Sequence, residues 1–219
     1  MAQSITRLSG VNSLSGPLPA TNIANSTLDN ITTLPSAVPI GKPILLSTAT
    51  ASSSSSIEFT SGIDSTYDIY QFEFNSIHPQ TDNVQFEFQC STDGGSNYNN
   101  TITSTFFRAF HNESGSSTSL AYRANRDLTQ STSFQPINEQ NGNGNDENSS
   151  GSMYLFNPSS TTFVKHFIST TNSYYFDNYS MNYFVAGYFN TTTAINAIKF
   201  QMSSGNIDAG TIKMYGISA

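Results

Sequence analysis

Two stretches decide the fold: Tyr70-Gln71-Phe72-Glu73-Phe74-Asn75 and Val84-Gln85-Phe86-Glu87-Phe88-Gln89-Cys90. In an extended chain successive side chains point to opposite faces. Tyr70, Phe72 and Phe74 therefore share one face and Gln71, Glu73 and Asn75 the other, and Val84, Phe86, Phe88 and Cys90 repeat the pattern against Gln85, Glu87 and Gln89. That alternation predicts two half-buried strands. The residues between them, His78-Pro79-Gln80-Thr81-Asp82, are turn formers, so the pair predicts a hairpin with His78 in its turn. Working outward, further strands are predicted at residues 101–110, 119–123, 151–156, 163–170, 183–189, 194–202 and 211–217. No helical period of any length occurs, and sixteen Phe and eleven Tyr must find a core. The fold class this implies is all-β: an antiparallel two-sheet sandwich of jelly-roll type. Cys90 points inward as a small buried hydrophobe.

Residues 1–43 read differently. They contain Pro17, Pro19, Pro35, Pro39 and Pro43 and not one Phe or Tyr. Prolines at this density remove backbone donors and favour extended backbone, so this segment predicts an extended N-terminal arm ahead of a sandwich domain spanning 44–219. Ile23, Leu28, Ile31 and Leu34 are either pegs on that arm or one side of a short helix over 22–33. A polar arm with few aliphatic residues offsets its ordering entropy only by docking on a partner. The run Ser52–Ser56 reads as a flexible connector, and residues 138–152, centred on Asn141-Gly142-Asn143-Gly144-Asn145-Asp146-Glu147-Asn148, as an exposed loop.

Composition excludes several functions. Charged residues make up 11% of the chain, and 83 of 219 residues are Ser, Thr or Asn. Eight Lys and Arg against fifteen Asp and Glu give a net charge of −7, which leaves no basic stripe for nucleic acid. A single cysteine cannot form an intrachain disulfide, and no apolar run is long enough for a membrane span. The opening Met1-Ala2-Gln3-Ser4 lacks the pattern of a secretory signal, which predicts synthesis in a cytoplasm.

The search for catalytic and metal chemistry predicts neither catalytic residues nor a cofactor nor a metal. His78, His111 and His166 show no zinc-binding spacing, and His111 has no nucleophile signature beside it. His166, in Phe163-Val164-Lys165-His166-Phe167-Ile168, alternates with Val164 and Ile168 and is expected in the core or an interface. Asp146 and Glu147, with Glu139 nearby, have the composition of a calcium loop without its spacing and read as a solvated loop. The acids of a glycosidase, were it one, would come from Glu113, Asp127, Asp146 and Glu147. Ser91-Thr92-Asp93-Gly94-Gly95-Ser96-Asn97-Tyr98 is similar to the Asp-box and predicts a hairpin turn with Gly94 or Gly95 at positive φ. The stretch 174–184 carries Tyr174, Tyr175, Tyr179 and Tyr183, whose flat rings and hydroxyls suit a sugar, a protein interface or plain core packing.

Four stretches carry a resemblance: residues 59–72, Ile77–Asn83, Ser91–Tyr98 and the ending Gly205-Asn206-Ile207-Asp208-Ala209-Gly210-Thr211-Ile212-Lys213-Met214-Tyr215-Gly216-Ile217. Together they resemble a module of tailed-bacteriophage virion proteins, over about residues 44–217. The resemblance implies a non-enzymatic virion surface protein bound to other virion proteins of capsid or tail through its arm. It further implies a homo-oligomer, with a trimer expected. Capsid decoration or cement is the first reading. A tail fibre or adhesin binding a host surface glycan is the alternative.

Overall fold

In the computed structural model the described residues are 43–218, and they form two antiparallel sheets with no α-helix among them. In chain order the strands are β1 (Ile44–Ser54), β2 (Ile57–Phe59), β3 (Ile69–Pro79), β4 (Phe86–Ser91), β5 (Ile102–Asn112), β6 (Thr118–Tyr122), β7 (Gln135–Pro136), β8 (Ser149–Phe156), β9 (Lys165–Tyr175), β10 (Tyr179–Phe189), β11 (Ala197–Met202) and β12 (Ile207–Ile217). The larger sheet has eight strands in the order β1-β12-β3-β8-β9-β10-β5-β6, and the smaller has four in the order β2-β11-β4-β7.

The alternating stretches supply the layer between them. Phe72 and Phe74 of β3 face Phe86 and Phe88 of β4 across the sandwich, and all four are at most 2% exposed. Phe200 of β11 sits in the middle, its ring centroid 5.3 to 6.4 Å from those of Phe59, Phe72, Phe74, Phe86 and Phe88. Most of these contacts are tilted or edge-on, the arrangement that opposed ring quadrupoles favour. Each such buried ring stabilises the fold by roughly 2–3 kcal/mol of transfer free energy. At Gly210 (φ +119) a Cβ would lie 2.7 Å from the Ser76 carbonyl, so only glycine allows β12 to cross β3 that closely where their register shifts.

Several expectations are corrected. β3 and β4 are not a hairpin: β3 pairs with β12 and β8 in the larger sheet, while β4 pairs with β11 and β7 in the smaller. Alternation fixes which face is apolar, and two apolar faces bury each other equally well stacked as paired. His78 lies within β3 rather than in a turn. Ser52–Ser54 belong to β1, not to a connector, because an edge strand is held by its backbone bonds to β12, which ask nothing of the side chains. The Asp93 segment likewise joins strands of different sheets instead of turning a hairpin, although both Gly94 (φ 72) and Gly95 (φ 91) take positive φ. On β9 the faces are reversed: Lys165, Phe167, Ser169, Thr171 and Ser173 point inward, while His166 and Ile168 are exposed. Lys165 is accommodated there by donating to the Thr191 carbonyl at 3.2 Å, and its burial lowers the ammonium pKa.

The region 138–152 is the largest departure. Asn138, Glu139 and Asn141 are fully buried, and the exposed residues are Asn143, Asn145 and Asp146 at the tip and Ser150 at the start of β8. The chain here crosses the end of the sandwich, and its side chains replace the backbone partners that the strand ends lack. Asn138 accepts from the Phe86 amide at 2.6 Å and donates to Ser149 and Ser173. Asn141 exchanges backbone bonds with Val84 and donates to the Ile77 carbonyl.

Candidate functional site

The β9–β10 hairpin separates the four tyrosines by alternation. Tyr183 is buried and donates to the Glu139 carbonyl at 2.7 Å, and burial raises its pKa. Tyr175 and Tyr179 face each other in register, 5.6 Å apart and edge-on, packed against the core, with Tyr179 also against Phe110. Tyr174 points to the other face, where its hydroxyl meets Glu113 at 3.0 Å and Asn178 at 3.1 Å. The tyrosine stretch is therefore not one binding loop: three of its rings complete the core and one reaches the surface. Tyr174 lines a hollow of about 260 Å³, and a second of about 450 Å³, lined by Tyr179 and Asn178, adjoins it through the shared Asn112 and Glu113.

Beneath the hairpin lies a cluster that no motif announces. Glu139, completely enclosed, receives Arg108 Nη1 at 2.6 Å on Oε2, and Arg123 Nε at 3.0 Å and Arg126 Nε at 2.8 Å on Oε1. Arg108 comes from β5, and its guanidinium also stacks on the Phe110 ring at 5.5 Å. The tight turn after β6, closed by Arg126 N–H to the Arg123 carbonyl at 2.9 Å, aims the other two at the same carboxylate. Three of the chain's four arginines thus surround one acid, a local excess of positive charge in a molecule of net charge −7. Their forks are turned inward onto Glu139, so the arrangement works as a clamp across β5, the β6 end and the crossing segment.

The other predicted site residues are dispersed. Glu147 caps its own loop by accepting from the Gly144 amide at 2.6 Å, Asp127 accepts from the Tyr122 hydroxyl, and Glu139 is held by arginines. Glu113, bonded to the Tyr174 hydroxyl, does most to raise that hydroxyl's pKa, and the charges of Asp146 and Glu147 add to the same effect. Among the described residues no group of three or more His, Cys, Asp or Glu is placed to hold a metal ion. His78 lies between Asp208, 3.6 Å from Nδ1, and the Gly144 carbonyl, 3.1 Å from Nε2. Ile23, Leu28, Ile31 and Leu34 lie outside the described residues.

What sequence reading missed is the outer face of the larger sheet. Phe107 on β5 and Phe184 on β10 are partners in register and stack with centroids 5.0 Å apart and planes 11° from parallel, though each is more than a third exposed. Beside this ridge a hollow of about 410 Å³ runs over Thr105, Ala186 and Ile168, closed at its far side by Tyr188 and His166. The signal was present in Phe107 and Phe184, apolar residues on the face that alternation assigns to solvent. Comparison with family models, with curated proteins and with solved structures finds no match.

Proposed function

We propose that the chain is a non-enzymatic structural protein of a tailed-bacteriophage virion, a jelly roll displayed on the particle surface and attached through residues 1–43. The observation that carries this reading is the strand order. Setting aside the hairpins β5–β6 and β9–β10, the sheets reduce to β1-β12-β3-β8 and β2-β11-β4-β7. The chain then changes sheet at every step except from β4 to β7, which are neighbours. This winding supports reading the fold as a jelly roll, an architecture that serves viral capsid and lectin domains.

The four stretches that resemble phage modules also support the reading by their placement. β12 pairs with β3 from Ile207 opposite Pro79 to Ile217 opposite Ile69, and the Gln80 amide bonds to the Asn206 carbonyl. Tyr98 donates to Glu58 within β2, immediately before the stretch 59–72. Stretches distant in sequence thus form one contiguous body. Capsid decoration is the first role, with the arm seated on the shell. A tail adhesin is the second, favoured by the hollows beside Tyr174, which would hold a host glycan. Deleting residues 1–43 tests the attachment: the variant should fold but be absent from purified particles. Full occupancy without the arm overturns it. Imaging of intact particles separates the two roles, since decoration covers the shell and an adhesin sits only at the tail.

A further inference from the structure

We propose that the outer face of β6-β5-β10-β9-β8 binds a second copy of this chain, face to face, about a two-fold axis. The argument rests on which residue stands beside which. Across this face one row reads Phe107, Phe184, Thr170, Ser152 on β5, β10, β9 and β8. The next outward-facing row on the same strands reads Thr105, Ala186, Ile168, Tyr154. Large residues in one row stand next to small ones in the other on every strand. A two-fold axis lying in the face, running across the strands between the rows, turns each row onto its neighbour. Phe107 then meets Thr105, Phe184 meets Ala186, and Ile168 and Tyr154 meet Thr170 and Ser152, in both directions. A self-complementary patch of this kind is what an isologous interface requires.

Charge and size point the same way. None of the outward positions on these five strands is Asp, Glu, Lys or Arg. Two chains of net charge −7 repel through most of their surface, and this face is where they can meet without opposing charges. The acids nearest it stand at its margin: Glu73 on β3, opposite Ser152 and paired in register with Lys213 of β12, and Glu113 and Asp127, bonded to Tyr174 and Tyr122. With strands about 4.8 Å apart and about 3.4 Å per residue, the patch covers roughly 500 Å² in projection, and side-chain relief brings this near the roughly 800 Å² per partner of a stable interface. The apolar exposure is contiguous: Tyr122, Phe107, Phe184 and Ile168 are 55%, 39%, 37% and 50% exposed. A flat face packed on itself is closed by two copies, so the pairing is two-fold instead of the threefold association expected from the resemblance. The inserted hairpins β5–β6 and β9–β10 supply four of the five strands. Self-association in solution requires no virion and stands or falls separately from that role.

Light scattering on the full chain after size exclusion should give twice 23.8 kDa. Ala186→Phe alone sets ring against ring and should halve the mass while unfolding stays cooperative and the far-ultraviolet circular dichroism spectrum stays that of the wild type. The exchange Phe184→Ala with Ala186→Phe keeps large opposite small and should restore the dimer, which a folding defect would not do. As Cys90 is buried and the only cysteine, Ile168→Cys with Thr170→Cys should form an intermolecular disulfide on oxidation, and Thr50→Cys, outside the patch, should not. A wild-type monomer, a trimer, or a dimer indifferent to Ala186→Phe overturns the proposal.

Discussion

The aromatic layer around Phe200 and the polar crossing around Glu139 both exclude water, by opposite means. In the first, rings fill space and tolerate several relative orientations, from nearly stacked to perpendicular. In the second, most buried polar groups have their own partner at hydrogen-bond distance, Arg108 Nε and Asn141 Oδ1 excepted, because a buried charge or amide left unpaired costs several kcal/mol. The difference teaches that one region is defined by residue type and the other by geometry. The first should forgive conservative substitution and the second should not.

The largest effect expected tests this directly. Glu139→Gln keeps the shape but removes the one carboxylate that, among the described residues, is ion-paired with the three guanidiniums, and should cost about 3–5 kcal/mol, the range for breaking a buried pair. Chemical denaturation measures it, and a loss under about 1 kcal/mol would make the clamp dispensable. Phe200→Leu, in contrast, exchanges one buried apolar side chain for another of lower volume, and should cost about 1–1.5 kcal/mol after local repacking. An equal cost for the two variants would erase the distinction. The smallest effect concerns Asp93, which achieves polar pairing on the surface. Bonds from Ser91, from the Asn97 side chain and from the Asn97 amide hold its pKa down to about 2. A carboxylate pKa depressed in the folded state contributes stability that is complete above the unfolded value of 3.8 and is lost as pH falls toward 2. Carboxyl NMR should show that midpoint, and Asn97→Ala should move it upward.

The same contrast explains what could be read from sequence. The burial of Tyr70, Phe72, Phe74, Phe86, Phe88 and Cys90 followed from a period of two, and so did the two-sheet class. Which strand pairs with which did not, because β3 and β4 bury the same faces whether stacked or adjacent. Gln89, on the polar face of β4, is nevertheless buried, since its amide donates to the carbonyls of Asn100, Thr132 and Ser133 in segments that fold over it. Glu139 was hidden for a related reason: its partners lie 31, 16 and 13 residues away, and no local pattern joins them. One signal was available, as a chain only 11% charged that retains three arginines between 108 and 126 has placed them for pairing. The outer face was legible in its residues but not as a surface, because rows such as Phe107 with Phe184 exist only once the register is known.

Among the described residues the first strand pairs with the last: Ile44 lies opposite Gly216 and Ser54 opposite Ile207. During synthesis at about 5–20 residues per second, β1 therefore waits roughly 10–30 s for the strand that completes it. β3 waits nearly as long for the same partner, so the place between β1 and β3, next to one edge of the larger sheet, is filled only once residues 207–217 have been made. Closure of the sandwich is for this reason a late, non-local and slow event. The Ser52–Ser54 end of β1 suits that interval, since a polar stretch can remain unpaired without adhering to the wrong neighbour, whereas the opposite end, Ile44-Leu45-Leu46, keeps apolar surface that pairing with β12 must hold in place.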